Sequence, residues 1–300
     1  MEHQNNSFDF LRFSAATLVI WGHSYELNAM PSVPTVFAST VNSMGVVIFF
    51  IISGFLVTES LRRSDSFIDF FWKRALRIFP GLIVCTLLTA LVLGPLVSAL
   101  PTAEYFANPL VADFLKNAVL NVHYFLPGVF QQNHIIAVNG SLWSLPVEAL
   151  CYIVLGTLGY VIVRKGCRLC SLVLAVMSVA AAIFFSTYGG PPIIFYQMSL
   201  SHIFLVAPYF FVASSMNMIF ARQHFRLDVA LGCVAALFLV VAAKNPTLLT
   251  LTQPVLLSYV ALTIGMMPLP VIRSWSRLEQ NLIIPAHILL RRSSWRTRLV

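Results

Sequence analysis

Charged side chains are scarce in this chain of 300 residues: Asp, Glu, Lys and Arg make up only 10% of it, whereas soluble domains average about a quarter. Hydrophobic residues make up 58%. A soluble fold of this length could not bury so many apolar side chains. The composition therefore excludes nucleic-acid-binding proteins, cytosolic nucleotide-binding enzymes and disulfide-stabilised secreted domains as starting points, and it predicts an integral membrane protein.

Cysteine is also scarce, with five residues that lie mostly inside apolar runs. Cys167 and Cys170 form a CxxC motif, but the chain has no second pair to complete a zinc site. We expect both to pack as small hydrophobic residues. The histidines outside the first apolar run also lack the spacing of metal ligands, so no metal is expected.

Eight apolar runs approach or reach the length of about 20 residues that a helix needs to cross a bilayer. They predict an all-α transmembrane bundle of about eight spans, at 8–26, 41–60, 78–100, 142–163, 169–187, 201–220, 228–243 and 248–267. Residues 1–267 are then one membrane domain, followed by a basic cytoplasmic or interfacial tail at 268–300. The long segment 101–141 is rich in proline and aromatic residues, and we expect it to pack on the membrane surface as a lid.

Basic residues indicate the orientation of these spans, because Lys and Arg accumulate in cytoplasmic loops. With the N-terminus inside, the cytoplasmic segments contain 17 of the 19 Lys and Arg residues, and only Lys116 and Lys244 lie outside. Both termini are therefore predicted to be cytoplasmic.

Ionisable residues inside spans cost about 2.5–3.5 kcal/mol each at the helix centre, so each one needs a partner, a watery cavity or a function. In the first span, Arg12 and His23 are eleven residues apart and share one helix face. Asp9 lies one turn before Arg12 and is predicted to pair with it. The alternative for His23 is an interfacial residue at the end of a helix.

Two further segments carry small or basic residues. Ser53 and Gly54 interrupt a very apolar span, where small residues allow close approach of a ligand or, alternatively, of another helix. Arg74 and Arg77 lie one turn apart before Pro80, where we expect the third span to begin. The two guanidinium groups could bind a phosphate-rich ligand, although the positive-inside rule alone also predicts basic residues there.

Glu148 lies inside the fourth span, and a carboxylate in that position is suited to proton exchange. Trp143 and Ser144 precede it in the segment Asn-Gly-Ser-Leu-Trp-Ser-Leu-Pro-Val-Glu. The alternative is a structural Glu that pairs with an Arg and fixes the helix register.

Together these four segments resemble the membrane acyltransferase-3 family, whose members O-acylate carbohydrates. The resemblance rests on Arg12-x10-His23, on Phe49-Phe50-x-x-Ser53-Gly54-Phe55, on the basic entry to the third span, and on Ser141-Leu-Trp-Ser-Leu-x-x-Glu148. It covers residues 8 to about 160 specifically. The segment after Met267 departs from the ten-span pattern of the family.

The resemblance implies transfer of an acyl group, most simply acetyl, from cytoplasmic acyl-CoA to a carbohydrate hydroxyl in the inner membrane of the cell. His23 would be the general base, Arg12 with Asp9 would hold the donor, and Glu148 would tune the imidazole or orient the acceptor. Arg74 and Arg77 would bind the CoA phosphates, Ser53 and Gly54 would line the passage of the thioester arm, and Trp143 and Ser144 would support Glu148. The partners are then acyl-CoA, a carbohydrate and lipid, with no nucleic acid and no cofactor beyond the acyl-CoA donor.

Two alternatives remain open from the sequence. A proton-coupled transporter or flippase also buries Arg, His and Glu in its spans. The unusual tail is also compatible with a truncated, inactive acyltransferase.

Overall fold

The computed structural model describes residues 7–189 and 194–267, and within them the chain is almost entirely helical. The α-helices, in chain order, are α1 (Phe8–Leu27), α2 (Val41–Arg63), α3 (Phe67–Leu88), α4 (Gly94–Val97), α5 (Thr102–Ala107), α6 (Pro109–Leu115), α7 (Ser144–Arg164), α8 (Arg168–Tyr188), α9 (Leu200–Ile219), α10 (Leu227–Ala242) and α11 (Pro246–Met266). The prediction of an all-α bundle is confirmed. The predicted tail at 268–300 lies outside the described residues.

Six of the described helical segments are long and apolar enough to cross a membrane, namely α2, Phe67–Val97, Gly140–Arg164, α8, α9 and α11. All eight predicted runs form helices, but α1 and the 16-residue α10 are not among the six. α1 carries three charged residues, Asp9, Arg12 and Glu26, which lower its apolar character. α10 has fewer residues than a helix needs to cross the apolar core of a bilayer. Eight membrane crossings therefore remain a prediction, whereas a multi-pass helical protein is established.

The helix that contains the third predicted span, 78–100, begins before residue 78. α3 begins at Phe67, where the Ser66 hydroxyl accepts a hydrogen bond from the backbone N–H of Asp69 and caps the helix. Pro80 lies inside this helix and does not start it. Arg74 and Arg77 therefore lie within the helix, ahead of the predicted start of the span.

The same arrangement of a helix, a two-stranded hairpin and a second helix occurs twice. Strands β1 (Thr35–Val36) and β2 (Ser39–Thr40) join α1 to α2, and strands β3 (Ile194–Phe195) and β4 (Met198–Ser199) lie between α8 and α9. Both turns place two non-glycine residues at positive φ, Phe37 with Ala38 and Tyr196 with Gln197. Such φ values are uncommon outside glycine. The sequence did not indicate this repetition.

The core forms where the two helix–hairpin–helix units, α1 to α2 and α8 to α9, meet. α2 and α9 run parallel and in contact, since Gly54 lies against Phe210, Thr58 hydrogen-bonds Ser214, and the Arg62 guanidinium donates to the Asn217 side chain. α1 packs antiparallel to α2 on its other side, with Phe8 stacked near Phe55. α2 is therefore the central helix of the described bundle.

The segment 101–141 is folded and packs against the protein, and its predicted packing on the membrane surface is not tested by these contacts. Tyr105, Val111, Phe114, Leu126 and Val129 form an apolar cluster with Ala90, and the Tyr105 hydroxyl donates to the Ala90 carbonyl oxygen. Its action as a lid remains a prediction.

The interpretation of the CxxC motif as a packing pair is wrong. Cys167 is the residue before α8, so the first turn of the helix brings its Cα to 5.4 Å from that of Cys170, and the two form a disulfide. That Cα distance is ordinary for a bridged pair.

Gly54→Ala is expected to destabilise the bundle, because a Cβ at this position would lie 2.1 Å from the Phe210 carbonyl oxygen. Forcing α2 and α9 apart should cost about 1–3 kcal/mol and lower the melting temperature of the detergent-solubilised protein. Gly81→Ala, in α3, is the matched control, since nothing lies within 4 Å of its added Cβ. Equal melting temperatures for the two variants would contradict the close α2–α9 contact.

Candidate active site

A chain of three polar side chains joins the end of α1 to the start of α2. The Nδ1 atom of His23 lies 2.8 Å from Oε2 of Glu26, and Oε1 of Glu26 accepts from Nδ2 of Asn42 at 2.9 Å. The His23 and Glu26 side chains are each about one-third exposed. We call these three residues the His23 chain.

Glycine brings the two helices close enough for this contact. A Cβ on Gly22 would lie 2.6 Å from the Cβ and backbone nitrogen of Asn42, and one on Gly45 would lie 2.5 Å from the Ala15 carbonyl oxygen. Small residues at such contacts let helix backbones approach. The sequence of α1 and α2 therefore fixes where Asn42 meets Glu26.

Arg12 pairs with Asp9 as predicted, at 2.5 Å between Nη1 and Oδ1. The Asp9 side chain is 90% exposed and that of Arg12 is 28% exposed. An exposed pair of this kind contributes little to stability. Arg12 is thus paired at the start of α1, but its side chain is not part of the buried core.

Glu148 lies at the centre of a second polar group, between α2, α3 and α7. Its Oε1 accepts from the Ser53 hydroxyl at 2.8 Å and from the Tyr152 hydroxyl, one turn further along α7. Ser53 and Tyr152 are both buried. The structure thus supplies neutral hydrogen-bond donors for a half-buried carboxylate in the bundle, which reduces the cost of removing it from water.

Arg74 completes this group from α3. Its Nη2 donates to the Ser60 hydroxyl at 3.2 Å, and its guanidinium lies 5.8 Å from the centroid of the Tyr152 ring. It also interacts electrostatically with Glu148. Within the described residues its buried Nε–H has no hydrogen-bond partner. We call Ser53, Ser60, Arg74, Glu148 and Tyr152 the Arg74 cluster.

Arg77 lies one helical turn from Arg74 and is exposed. Each guanidinium acts electrostatically on the other, and no carboxylate of the described residues forms an ion pair with Arg77. The structure therefore brings the two predicted phosphate ligands to one edge of the Arg74 cluster.

The His23 chain and the Arg74 cluster lie at different depths. Asn42 and Ser53 are eleven residues apart on α2, which corresponds to about 16 Å along the helix axis. Glu148 contacts Ser53, whereas His23 contacts Glu26. The structure thus does not bring Glu148 to His23, and the carboxylate that contacts the imidazole is that of Glu26.

Three other predicted site residues have packing contacts. Gly54 is buried against the α9 backbone. The Trp143 ring lies 4.7 Å, centroid to centroid, from that of His202, and the Ser144 hydroxyl donates to the Ser141 carbonyl oxygen. Helix packing accounts for the glycine at position 54, and its place beside a thioester arm remains a prediction.

Two cavities lie between α8, α9 and α11, with volumes of about 230 and 340 Å³. Neither is lined by any of the predicted site residues. A passage along α1 therefore remains a prediction. In residues 7–189 and 194–267, no three His, Cys, Asp or Glu side chains come together in a way that could hold a metal ion.

Sequence reasoning missed Glu26, Asn42 and Tyr152. Glu26 follows His23 by three residues and Tyr152 follows Glu148 by four, and both spacings place side chains on one helix face. Those signals were present in the sequence. Asn42 carries no such signal, because its contact with Glu26 crosses between two helices.

The fold and these two polar groups define a multi-pass helical membrane protein with ionisable residues held inside the bundle. The chain belongs to the acyltransferase-3 family, whose model, described as an acyltransferase domain, matches residues 5–288. The match continues past Met267, and thus includes the later helices as well as the four segments on which the resemblance rested.

Two curated relatives share part of this sequence. The O-acetyl transferase of Shigella phage Sf6 is 41% identical over 157 residues, which are 51% of this chain and 46% of that protein. Nodulation protein 10 of Rhizobium leguminosarum bv. viciae is 36% identical over 189 residues, 60% of this chain and 50% of that protein. The matches thus cover about half the length of each relative. No solved structure matches the chain.

Tyr152→Phe is expected to lower the melting temperature, because it removes a hydroxyl that donates to the Glu148 carboxylate. A hydrogen bond to a charged group is worth about 1.5–3 kcal/mol. Tyr160→Phe is the control on the same helix, since Tyr160 is in contact through its ring with Phe67 and Arg164. An unchanged melting temperature for Tyr152→Phe in detergent would contradict the assigned role of the hydroxyl.

Proposed function

We propose that this protein is an O-acetyltransferase of the inner cell membrane. It would move an acetyl group from cytoplasmic acetyl-CoA to a hydroxyl of a cell-surface or lipid-linked carbohydrate. Family membership supports the reaction class, and the name of the phage relative supports acetyl as the group transferred. The observation that carries the proposal is the separation, measured along α2, between the His–Glu pair of α1 and the two arginines of α3.

The reaction requires a base at the acceptor. In the proposed step the acceptor hydroxyl oxygen attacks the thioester carbonyl carbon, His23 takes the hydroxyl proton, and the carbon–sulfur bond breaks. The proton then passes from the imidazole to the CoA thiolate. An imidazole is suited to this because it takes up and releases protons near neutral pH.

The donor requires cations for its phosphates. Arg77 is exposed, and the Arg74 Nε–H has no partner among the described residues, so both retain the capacity to bind an anion. Guanidinium groups bind phosphate through paired N–H donors. The rise of about 16 Å between the Arg74 cluster and the His23 chain is a distance that the extended pantetheine arm of CoA can bridge.

The remaining predicted residues take supporting roles in this proposal. Arg12, paired with Asp9, would help to hold the donor. Glu148 keeps the Arg74 guanidinium in place through charge and through their shared neighbour Tyr152. Ser53 fixes the Glu148 carboxylate.

His23→Ala should abolish acetyl transfer, because a general base contributes about 10²–10⁴-fold to rate. Labelled acetyl-CoA is supplied to membranes that contain the protein, and label in the glycan fraction is counted. His134→Ala, which changes an exposed loop histidine, is the control and should keep transfer. Intact transfer in the His23 variant would overturn the proposal, and uptake of substrate without label transfer would favour a transporter.

Arg74→Ala and Arg77→Ala should each weaken CoA binding about 10- to 100-fold, the equivalent of one or two charged hydrogen bonds. Isothermal titration of CoA into the detergent-solubilised protein measures this. Lys165→Ala is the control, since Lys165 is exposed and lies on the same predicted side of the membrane. Equal affinities for the Arg77 and Lys165 variants would place the phosphates elsewhere.

A further inference from the structure

The Asn42 amide has a defined orientation in the His23 chain. A carboxylate only accepts hydrogen bonds, so the group that faces Oε1 of Glu26 must be the NH₂ of Asn42. The Asn42 Oδ1 is buried and has no partner among the described residues. The reversed amide would set two acceptors against each other, and the bond to Glu26 therefore decides the orientation.

The Glu26 carboxylate is held in turn. One oxygen is fixed by Asn42 on α2 and the other lies 2.8 Å from Nδ1 of His23 on α1. The contact crosses two helices that approach closely at Gly22, where an added Cβ would lie 2.6 Å from Asn42. The carboxylate thus has little freedom to leave the imidazole.

This geometry selects one form of the neutral imidazole. An accepting oxygen at Nδ1 requires the proton on that nitrogen, which leaves the lone pair on Nε2. The partner of one ring nitrogen thereby determines the function of the other, as in hydrolytic triads.

We propose that Glu26 and Asn42 are positioning residues that hold His23 as the Nδ1–H tautomer, with Nε2 presented to the acceptor hydroxyl. This inference rests on the proposed function, in which His23 is the base. It assigns to Glu26 the tuning role that the sequence gave to Glu148.

The test compares Glu26→Ala, Glu26→Gln and Asn42→Leu. Glu26→Ala should lower kcat about 10- to 100-fold with little change in the KM for acetyl-CoA, because a displaced base affects the chemical step. Glu26→Gln should restore most of the loss. Its amide oxygen can accept from Nδ1–H, and its NH₂ can donate to Oδ1 of a rotated Asn42. Asn42→Leu should lower kcat by a smaller factor.

A second readout separates positioning from a purely structural effect. Nitrogen-15 NMR of histidine-labelled protein in nanodiscs reports which ring nitrogen carries the proton, and the spectrum of His23→Ala identifies the His23 signals among those of the seven histidines. The Nδ1–H signal should persist in Glu26→Gln and be lost in Glu26→Ala. Glu104→Ala, at an exposed carboxylate of α5, is the control and should change neither activity nor spectrum.

The outcomes distinguish the two proposals. A wild-type kcat or an unchanged tautomer in Glu26→Ala overturns the positioning role. If His23→Ala nevertheless loses activity, the proposed function still holds. Full activity in His23→Ala overturns the function itself. If Glu26→Ala fails to fold, Glu26→Gln and Asn42→Leu are used to test the positioning role. An unchanged tautomer and an unchanged kcat in Asn42→Leu would show that Asn42 does not position His23.

Discussion

The close approach of backbones along α2 is the constraint on which the other features of the structure depend. Gly22 and Gly45 mark its contact with α1, and Gly54 marks its contact with α9, each at a distance that excludes a Cβ. Lipid supplies no hydrophobic drive for helices to associate, so tight packing of this kind has to supply it. The side chains of the His23 chain and of the Arg74 cluster either lie on α2 or hydrogen-bond to a side chain of α2, directly or through one neighbour. The position of α2 therefore determines their geometry.

The ionisable residues of the bundle are separated into two self-sufficient groups. Glu148 is satisfied by hydroxyl donors and by the field of Arg74, and Glu26 is satisfied by His23 and Asn42. Because each carboxylate has local hydrogen-bond or charge partners, neither group depends on an interaction with the other. A single relay through the protein is therefore not required for stability, and under the proposed function each group would act on a different substrate.

Sequence reasoning located the helices well and the contacts between them less well. Apolar length predicted every long helix of the described residues, because it is a property of neighbouring residues. The start of α3 was missed because the apolar run begins only after Lys73 and the two arginines, whereas the helix continues through them. Asp9–Arg12 was correct because it is local, whereas Ser53–Glu148 and Glu26–Asn42 depend on how distant segments pack. The Cys167–Cys170 bridge depended on where α8 begins.

The repeated helix–hairpin–helix arrangement separates what the fold provides from what the sequence adds. Both units supply a helix end, a hairpin and the start of a second helix. In the first unit those positions hold His23, Glu26 and Asn42. In the second, the end of α8 holds Phe184, Phe185 and Tyr188, and Phe185 stacks on Phe204. The two helices of the second unit thus meet through an aromatic contact, whereas those of the first unit meet through the polar contacts of the His23 chain. The repeated backbone therefore does not determine the side-chain chemistry, because α9 of the second unit also carries a histidine, His202, which packs on Trp143 and has no adjacent carboxylate partner among the described residues.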